Sequence, residues 1–300
     1  MRPDNDPNSH SLQALIARAE QLLTRVESLL IRELAAPDWS ASTAFRFASD
    51  ARGVRLLPVK RLAVIALADL QDVNVQKERL VQNTRQFVAG KPANNVLLTG
   101  ARGTGKSSLV RACLHEFAAQ GLRLIEMDKT ELLHLPELVE LVAGRPERFI
   151  IFSDDLSFDE GEQGYKALKS VLDGGISSGG DNLLIYATSN RRHLLPEYMR
   201  ENETYQHQAD GEIHPGEVVE EKISLSERFG LWLSFYPFSQ DEYLHIVQHW
   251  ISAFNIPIAE QLDSMLTIKN EALVFALERG SRSGRVAYQF AKDYAGRHAH

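Results

Sequence analysis

Residues 100–107 read GARGTGKS, and this stretch constrains the fold more than any other part of the chain. Its glycines give the backbone the freedom to turn successive N–H groups toward a single anion. The stretch follows the apolar run NVLLT and precedes SSLVRACLHEF, whose apolar residues recur at helical spacing. A strand, a glycine-rich turn that ends in Lys106 and Ser107, and a helix in this order predict a phosphate-binding P-loop.

This loop predicts a bound nucleoside triphosphate, and we expect ATP and Mg²⁺ as the cofactors. Lys106 is predicted to contact the β- and γ-phosphates, and Ser107 is predicted to ligate the Mg²⁺. The other residues would surround the phosphates through their backbone N–H groups. The predicted nucleotide-binding residues of the loop are Gly100, Ala101, Arg102, Gly103, Thr104, Gly105, Lys106, Ser107 and Ser108.

A second chemical signal follows the apolar run FIIF at residues 149–152, where Ser153 leads into Asp154 and Asp155. Ligands of open parallel sheets bind at the carboxyl ends of the strands, so both carboxylates are expected beside the P-loop. Asp154 is predicted to hold Mg²⁺, and Asp155 is predicted to orient or deprotonate an attacking water. The alternative is that the acidic pair only ends the strand at a turn.

Five short apolar runs alternate with amphipathic segments between residues 96 and 238. They are VLLT, LRLIEMD, RFIIFSDD, LLIYATSN and LWLSFYPF. Near-continuous apolar strands separated by helices predict an α/β fold with a mostly parallel sheet covered on both faces. SQDE at 239–242 then predicts the start of a helix, and the remainder to residue 300 has helical periodicity only.

The N-terminal part has a different pattern. Between residues 11 and 35, apolar residues recur at three- and four-residue steps, which is typical of an amphipathic helix, and Pro37 ends it. The mixed stretch up to about residue 60 is interpreted as a packed connector. The predicted domains are therefore an N-terminal helical segment and connector at 1–60, a P-loop core at 61–238 and a helical domain at 239–300. Residues 174–180 and 199–221 are interpreted as surface loops.

The composition indicates where in the cell the protein is expected. No apolar run approaches the roughly 18 residues of a membrane helix, and the N-terminus MRPDNDPNSH is too polar for a signal peptide. The single cysteine, Cys113, permits no internal disulfide. We therefore expect a cytoplasmic protein with no membrane partner. The formal net charge of -7 provides no overall basic field, so direct binding of nucleic acid has little support.

Together with three later segments, these residues resemble the AAA+ ATPase family. LLIYATSN ends in Asn190, which is similar to sensor 1, the residue that contacts the γ-phosphate or the attacking water. SERFG at 226–230 is similar to the arginine-finger segment, with Arg228 as the finger. GRVAYQF at 284–290 is similar to sensor 2, with Arg285 as the first choice and Arg282 as the rival. The segments NNVLLTGARGTGKSSLV and ERFIIFSDDLSF are most similar in sequence to a bacterial AAA+ group catalogued only as a domain of unknown function.

The resemblance implies a three-layer αβα core with a five-stranded, mostly parallel sheet, followed by a small helical lid and preceded by an N-terminal helical segment. It also implies Mg²⁺-dependent ATP hydrolysis in a homo-oligomer that remodels or loads an unknown protein partner. The implied catalytic residues are Lys106, Asp155, Asn190 and Arg228, the last acting on a neighbouring subunit's ATP. Asp155 stands where a glutamate is commonest, which favours slow hydrolysis. Asp72 stands where a glycine is usual in the adenine-side segment at 67–80.

Other functions are left open by these patterns. An ATP-dependent switch or scaffold would bind nucleotide and assemble with little hydrolysis, and Asp155 favours this alternative. A small-molecule P-loop kinase has less support, because no second arginine-lined pocket is evident and the sensor and finger segments would go unexplained. Processive threading of proteins is disfavoured, since residues 128–140 contain no aromatic–aliphatic–glycine pore loop.

Overall fold

The computed structural model describes residues 18–20, 36–50, 53–62, 64–158, 162–174, 181–191, 194, 225–256 and 262–298. Most of the predicted helix at 11–35 lies outside these residues, although residues 18–20 are helical and exposed. The predicted surface loop at 199–221 lies entirely outside them, and the one at 174–180 is described only at Gly174.

A seven-stranded sheet forms the centre of the molecule. Its strands are β1 (Ala44–Asp50), β2 (Gly53–Pro58), β3 (Val96–Gly100), β4 (Leu122–Glu126), β5 (Arg148–Ser153), β6 (Leu183–Ser189) and β7 (Leu231–Phe235). Their spatial order is β2-β1-β4-β5-β6-β3-β7. Neighbouring strands are parallel except β1 and β2, which form an antiparallel hairpin. The predicted α/β fold with a mostly parallel sheet is confirmed.

The predicted number of five strands is wrong, because the segment interpreted as a connector contributes β1 and β2. Phe45 and Phe47 of β1 are buried on one face of the sheet, whereas Arg46 between them is exposed. β1 then pairs in parallel with β4, which aligns Phe45 with Ile125. Only one face of β1 carries large buried side chains, so its sequence lacks the near-continuous apolar run that marks β3 to β6.

Helices cover both faces of the sheet. They are α1 (Asn74–Val88), α2 (Lys106–Phe117), α3 (Leu135–Val142), α4 (Gln163–Leu172), α5 (Gln240–Ala253), α6 (Leu262–Glu278) and α7 (Gly284–His298). Helices α1 and α2 bury Leu80 and Leu109 in one hydrophobic cluster, whereas α3 and α4 bury Leu138 and Leu168 in another. These two clusters give the three-layer arrangement. Within the described residues, no helix is both long and apolar enough to cross a membrane.

Helices α5 to α7 form the C-terminal part, which we call the lid. The capping box predicted by SQDE begins α5: Glu242 N–H donates to Ser239 Oγ at 3.3 Å, and Ser239 N–H donates to Glu242 Oε2 at 2.7 Å. Tyr243 of α5 and Phe290 of α7 are buried in the same hydrophobic cluster as Leu98 of β3. The lid therefore shares a hydrophobic core with one face of the sheet.

Candidate functional site

The glycine-rich loop connects β3 to α2 at the carboxyl edge of the sheet. Gly100 ends β3 at φ 122°, and a Cβ there would lie 1.8 Å from the carbonyl oxygen of Phe235 on β7. Gly103 has φ 73°, and its Cβ would lie 2.9 Å from Cβ of Ser283, just before α7. Both positions require glycine, because the backbone is left-handed and lies directly against a neighbouring element. The loop is thus fixed between the sheet and the lid.

Lys106 is the first residue of α2, and its side chain folds back across the loop. Its Nζ donates to the carbonyl oxygens of Gly100 and Ala101, both at 2.7 Å, and to Asn190 Oδ1 at 3.1 Å. The residue is only 6% exposed. Burial lowers the pKa of the Lys106 ammonium group, and the neighbouring carboxylates oppose this change. The lysine therefore lies at the centre of the loop with its charge balanced by protein groups.

Asp154 lies just beyond the carboxyl end of β5, and two hydroxyl groups donate to its Oδ1. Ser107 Oγ does so at 2.5 Å and Thr188 Oγ1 at 2.6 Å. Thr188 Oγ1 also accepts a hydrogen bond from the backbone N–H of Asp155 at 2.9 Å. Thr188 thus contacts both acidic residues, but the sequence did not single it out. The available signal was its position two residues before Asn190, on the same face of a strand.

Asn190 joins the loop to the second acidic residue. Its Oδ1 accepts from Lys106, and its Nδ2 donates to Asp155 Oδ1 at 2.5 Å. Asp155 itself has a left-handed backbone, with φ 55°. Three residues predicted from three separate segments therefore form one continuous hydrogen-bonded path.

Arg111 is a further residue of this site that the sequence did not single out. Its Nη2 lies 3.8 Å from Asp154 Oδ2 and 3.7 Å from Glu126 Oε1 at the end of β4. Arg111 follows Ser107 by four residues on α2, which places both on one helix face, and this spacing was the available signal. Arg111 therefore contacts the carboxylate oxygen of Asp154 that Ser107 does not use.

These residues line a cavity of about 820 Å³ between the α/β part and the lid, which we call the nucleotide cavity. Its polar lining includes loop residues 102–108 together with Asp69, Gln71, Arg111, Asp154, Asp155, Thr188, Asn190 and Arg285. Its apolar lining includes Val64, Ile65, Ile246, Trp250 and Tyr288. The volume is in the usual range for a ligand pocket, and its cations and aromatic rings suit a phosphorylated ligand with a planar base.

The two lid arginines that the sequence left as rivals lie in different places. Arg285 lines the nucleotide cavity, and its backbone N–H donates to the carbonyl oxygen of Gly103 at 3.3 Å. Arg282 lines another cavity. The structure therefore places Arg285, and not Arg282, in the cavity that Lys106, Ser107 and Asp154 line.

Arg228 lies apart from the other predicted site residues. It follows a short helical turn at 225–227, and its Nε donates to a carboxylate oxygen of Asp173 just after α4. It is not among the residues that line the nucleotide cavity. Within one chain, the structure does not bring Arg228 to the P-loop.

The oxygen atoms around Asp154 suit Mg²⁺. Ser107 and Asp154 offer one hydroxyl and one carboxylate beside the loop, and Mg²⁺ commonly takes one or two carboxylates together with waters and phosphate oxygens. In the part of the chain that the structure describes, no group of three or more His, Cys, Asp or Glu side chains could hold a metal ion. A Mg²⁺ ion here would therefore share its coordination with the phosphates of a nucleotide.

A parallel sheet with a P-loop after β3, an acidic pair after β5, a polar residue after β6 and a helical lid define a P-loop protein of the AAA+ class. Within that class, the chain belongs to the family described as Protein of unknown function (DUF815), which matches residues 40–298. No curated protein sequence matches the chain.

Several solved structures have a similar fold. One is RuvB of Thermotoga maritima, with 13% identity over 76% of this chain and 71% of that chain and a TM-score of 0.46. Another, the T. maritima RuvB Holliday junction branch migration motor, has 14% identity over 74% and 69%, with a TM-score of 0.41. The replication initiator DnaA bound to AMPPCP and single-stranded DNA has 15% identity over 76% and 63%, with a TM-score of 0.48. These likenesses are too distant to transfer an activity.

Proposed function

We propose that this protein is a Mg²⁺-dependent ATPase that works as a homo-oligomer and couples its ATP cycle to the remodelling or loading of a macromolecular partner. The observation that carries this proposal is the hydrogen-bonded path from Lys106 through Asn190 to Asp155 along the nucleotide cavity. It links the group that would contact the γ-phosphate to the group that would orient the attacking water. Such a link supports hydrolysis in addition to binding.

The site residues would divide the work of phosphoryl transfer among them. The loop N–H groups and Lys106 would stabilise the negative charge of the phosphates. Ser107 and Asp154 would hold Mg²⁺, which when bound neutralises charge on the phosphate oxygens. Asp155 would orient the attacking water or accept its proton. Asn190 would hold the side chains of Lys106 and Asp155 in fixed positions through its two hydrogen bonds.

The apolar lining of the nucleotide cavity supports adenine as the base. The rings of Trp250 and Tyr288, both on the lid, are 4.8 Å apart and offer an aromatic surface. Asp72, where the resemblance to the AAA+ family implies a glycine, adopts φ 59°, and its Oδ2 lies 2.8 Å from Nδ1 of His245 on α5. Aspartate tolerates this left-handed conformation better than most residues, so the segment keeps a glycine-like backbone and also contacts the lid.

Arg228 would act in the neighbouring subunit. It lies outside its own nucleotide cavity, and an arginine supplied in trans would stabilise charge that develops on the transferred phosphoryl group. In this arrangement, Arg228 would exchange its ion pair with Asp173 for a phosphate oxygen of the next subunit. Hydrolysis would therefore depend on assembly of the subunits.

Phosphate release by the purified protein tests this function. Wild-type protein should release phosphate from ATP in the presence of Mg²⁺, and Lys106→Ala should lower the rate at least about 100-fold because the charge at the loop is lost. Lys91→Ala, at an exposed position after α1, is the matched control and should keep the wild-type rate. Unchanged turnover in Lys106→Ala would show that the assignment is wrong.

An ATP-dependent switch or scaffold with little hydrolysis is the second candidate. Asp155 favours it, because its side chain is one methylene shorter than the glutamate that is commonest at this position in the AAA+ family. Equilibrium binding and phosphate release measured on one preparation would separate the two functions. Tight binding of ATP with negligible phosphate release would decide for the switch.

A further inference from the structure

Arg282 lines a second cavity, of about 590 Å³, which we call the seam cavity. Its walls come from the P-loop, from the segment that links β7 to α5, and from the end of α6 with the turn that follows it. The lining residues are Ala101, Arg102, Thr104, Pro237, Phe238, Gln240, Leu273, Ala276, Leu277, Gly280, Ser281, Arg282 and Ser283. Arg102, Thr104 and Phe238 also line the nucleotide cavity, so the two cavities share a wall.

The seam cavity is positively charged. Its lining contains two arginines and no aspartate or glutamate, although the chain as a whole has a formal net charge of -7. Among the described residues, neither Arg102 nor Arg282 makes a side-chain hydrogen bond or an ion pair, and both are exposed. Guanidinium groups bind carboxylates through two parallel hydrogen bonds in a planar, bidentate geometry. The cavity therefore offers two binding groups for an acidic ligand.

Apolar side chains form much of the remaining surface. Leu277 lines the cavity and is nevertheless 81% exposed, so the cavity is open on that side. Phe238 is buried and forms part of the wall. Val274, three residues before Leu277 on α6, and Tyr236, next to Pro237 in the chain, are exposed as well. A cluster of large exposed apolar side chains indicates a binding surface.

We propose that the seam cavity binds an acidic segment of a protein partner in which an aliphatic or aromatic side chain is flanked by aspartate or glutamate. The apolar side chain would cover Leu277 and Phe238, and the carboxylates would pair with Arg102 and Arg282. The charge and the apolar surface together favour this ligand over nucleic acid, whose backbone needs a longer basic track than two arginines.

Such a partner would contact the P-loop and the lid at once. Arg102 belongs to the loop and Arg282 to the lid, and the two parts are joined by the hydrogen bond from Arg285 N–H to the Gly103 carbonyl. A ligand that bridges them favours one arrangement of lid and loop. Because binding linkage is reciprocal, ATP and the partner segment should change each other's affinity by the same factor.

Fluorescence anisotropy on the full-length chain tests the proposal. The probe is a fluorescein-labelled synthetic peptide with glutamates on both sides of a central leucine–phenylalanine pair. Wild-type protein should bind it, and more weakly as NaCl is raised. Arg282→Glu and Leu277→Gln should each weaken binding about tenfold. Arg279→Glu, an exposed arginine just outside the cavity, is the matched control and should bind like the wild type.

Three results would overturn the proposal. The first is equal affinity of wild-type and Arg282→Glu protein for the peptide. Equal affinity of the wild-type protein for this peptide and for one whose apolar pair is replaced by serines would count in the same way. The second is a wild-type chain that binds no peptide but forms an oligomer that Arg282→Glu dissociates, since the surface would then be a contact between copies. The third is binding that appears only after the acidic residues of 201–221 are replaced by amides, which would assign the cavity to that segment.

A separate measurement distinguishes this cavity from the nucleotide site. Arg282→Glu should bind a fluorescent ATP analogue with wild-type affinity when the peptide is absent, because Arg282 does not line the nucleotide cavity. Loss of peptide binding with retained nucleotide binding supports the seam cavity. Loss of both in this variant counts against it, because the effect would then reach beyond the cavity.

Discussion

Thr188 is a small residue near the end of β6, yet it contacts both acidic residues of the site through one oxygen atom. Thr188→Val preserves the shape of the side chain and removes that oxygen. We expect ATP turnover to fall about 10- to 100-fold, the usual cost of losing a group that orients a metal-binding carboxylate. Thr188→Ser, which keeps the hydroxyl, should retain most of the rate in the same phosphate-release assay. Equal rates in Thr188→Val and the wild type would contradict the positioning role.

The contacts of the P-loop with Asp154 and Asn190 could be predicted from the sequence. The loop and both residues each follow a recognisable strand, at the edge where parallel strands end. Thr188 and Arg111 could not be predicted. Threonine is common in strands and arginine is common on helix surfaces, so neither stands out by type. Their contacts depend on which strands are neighbours and on how closely α2 approaches β4 and β5, and a single sequence does not record these distances.

At the level of elements, the β1–β2 hairpin is the main feature that the sequence did not predict. Trp39, just before it, is 6% exposed and packs edge-on against Phe45 and Phe149, with ring centroids 4.9 and 4.8 Å apart. This contact ties the hairpin to β5. Strands β3 to β6 were predictable because they are buried on both faces and therefore have near-continuous apolar runs, whereas β1 buries large side chains on one face only.

Trp39→Ala should therefore destabilise the whole protein. We expect a loss of about 3–5 kcal/mol in the free energy of unfolding, because a large buried aromatic side chain would leave a cavity. Urea denaturation followed by circular dichroism measures this change. Leu57→Ala, on an exposed position of β2, is the matched control and should change the free energy by less than about 0.5 kcal/mol. Similar losses in both variants would show that Trp39 does not anchor the hairpin.

At the scale of the whole molecule, the position of Arg228 outside its own nucleotide cavity leads to a test of assembly. Arg228→Ala and Lys106→Ala chains should each be nearly inactive alone. When mixed, an Arg228→Ala subunit can receive the missing arginine from a Lys106→Ala neighbour, so phosphate release should partly return. A mixture of Lys106→Ala and Asp155→Ala should stay inactive, because both residues belong to one site. Failure of the first mixture, with mixed oligomers shown by co-purification through a tag on one of the two variants, would place Arg228 outside catalysis.

The hydrophobic cluster that Leu98 of β3 shares with Tyr243 and Phe290 of the lid has a thermodynamic consequence. A lid that buried its own separate core could melt before the sheet and give two heat-absorption peaks. Here the same apolar side chains support both parts, so scanning calorimetry should record one cooperative transition. Chains cut after Phe238 should aggregate, because the cut exposes apolar surface on the face of the sheet that the lid covers.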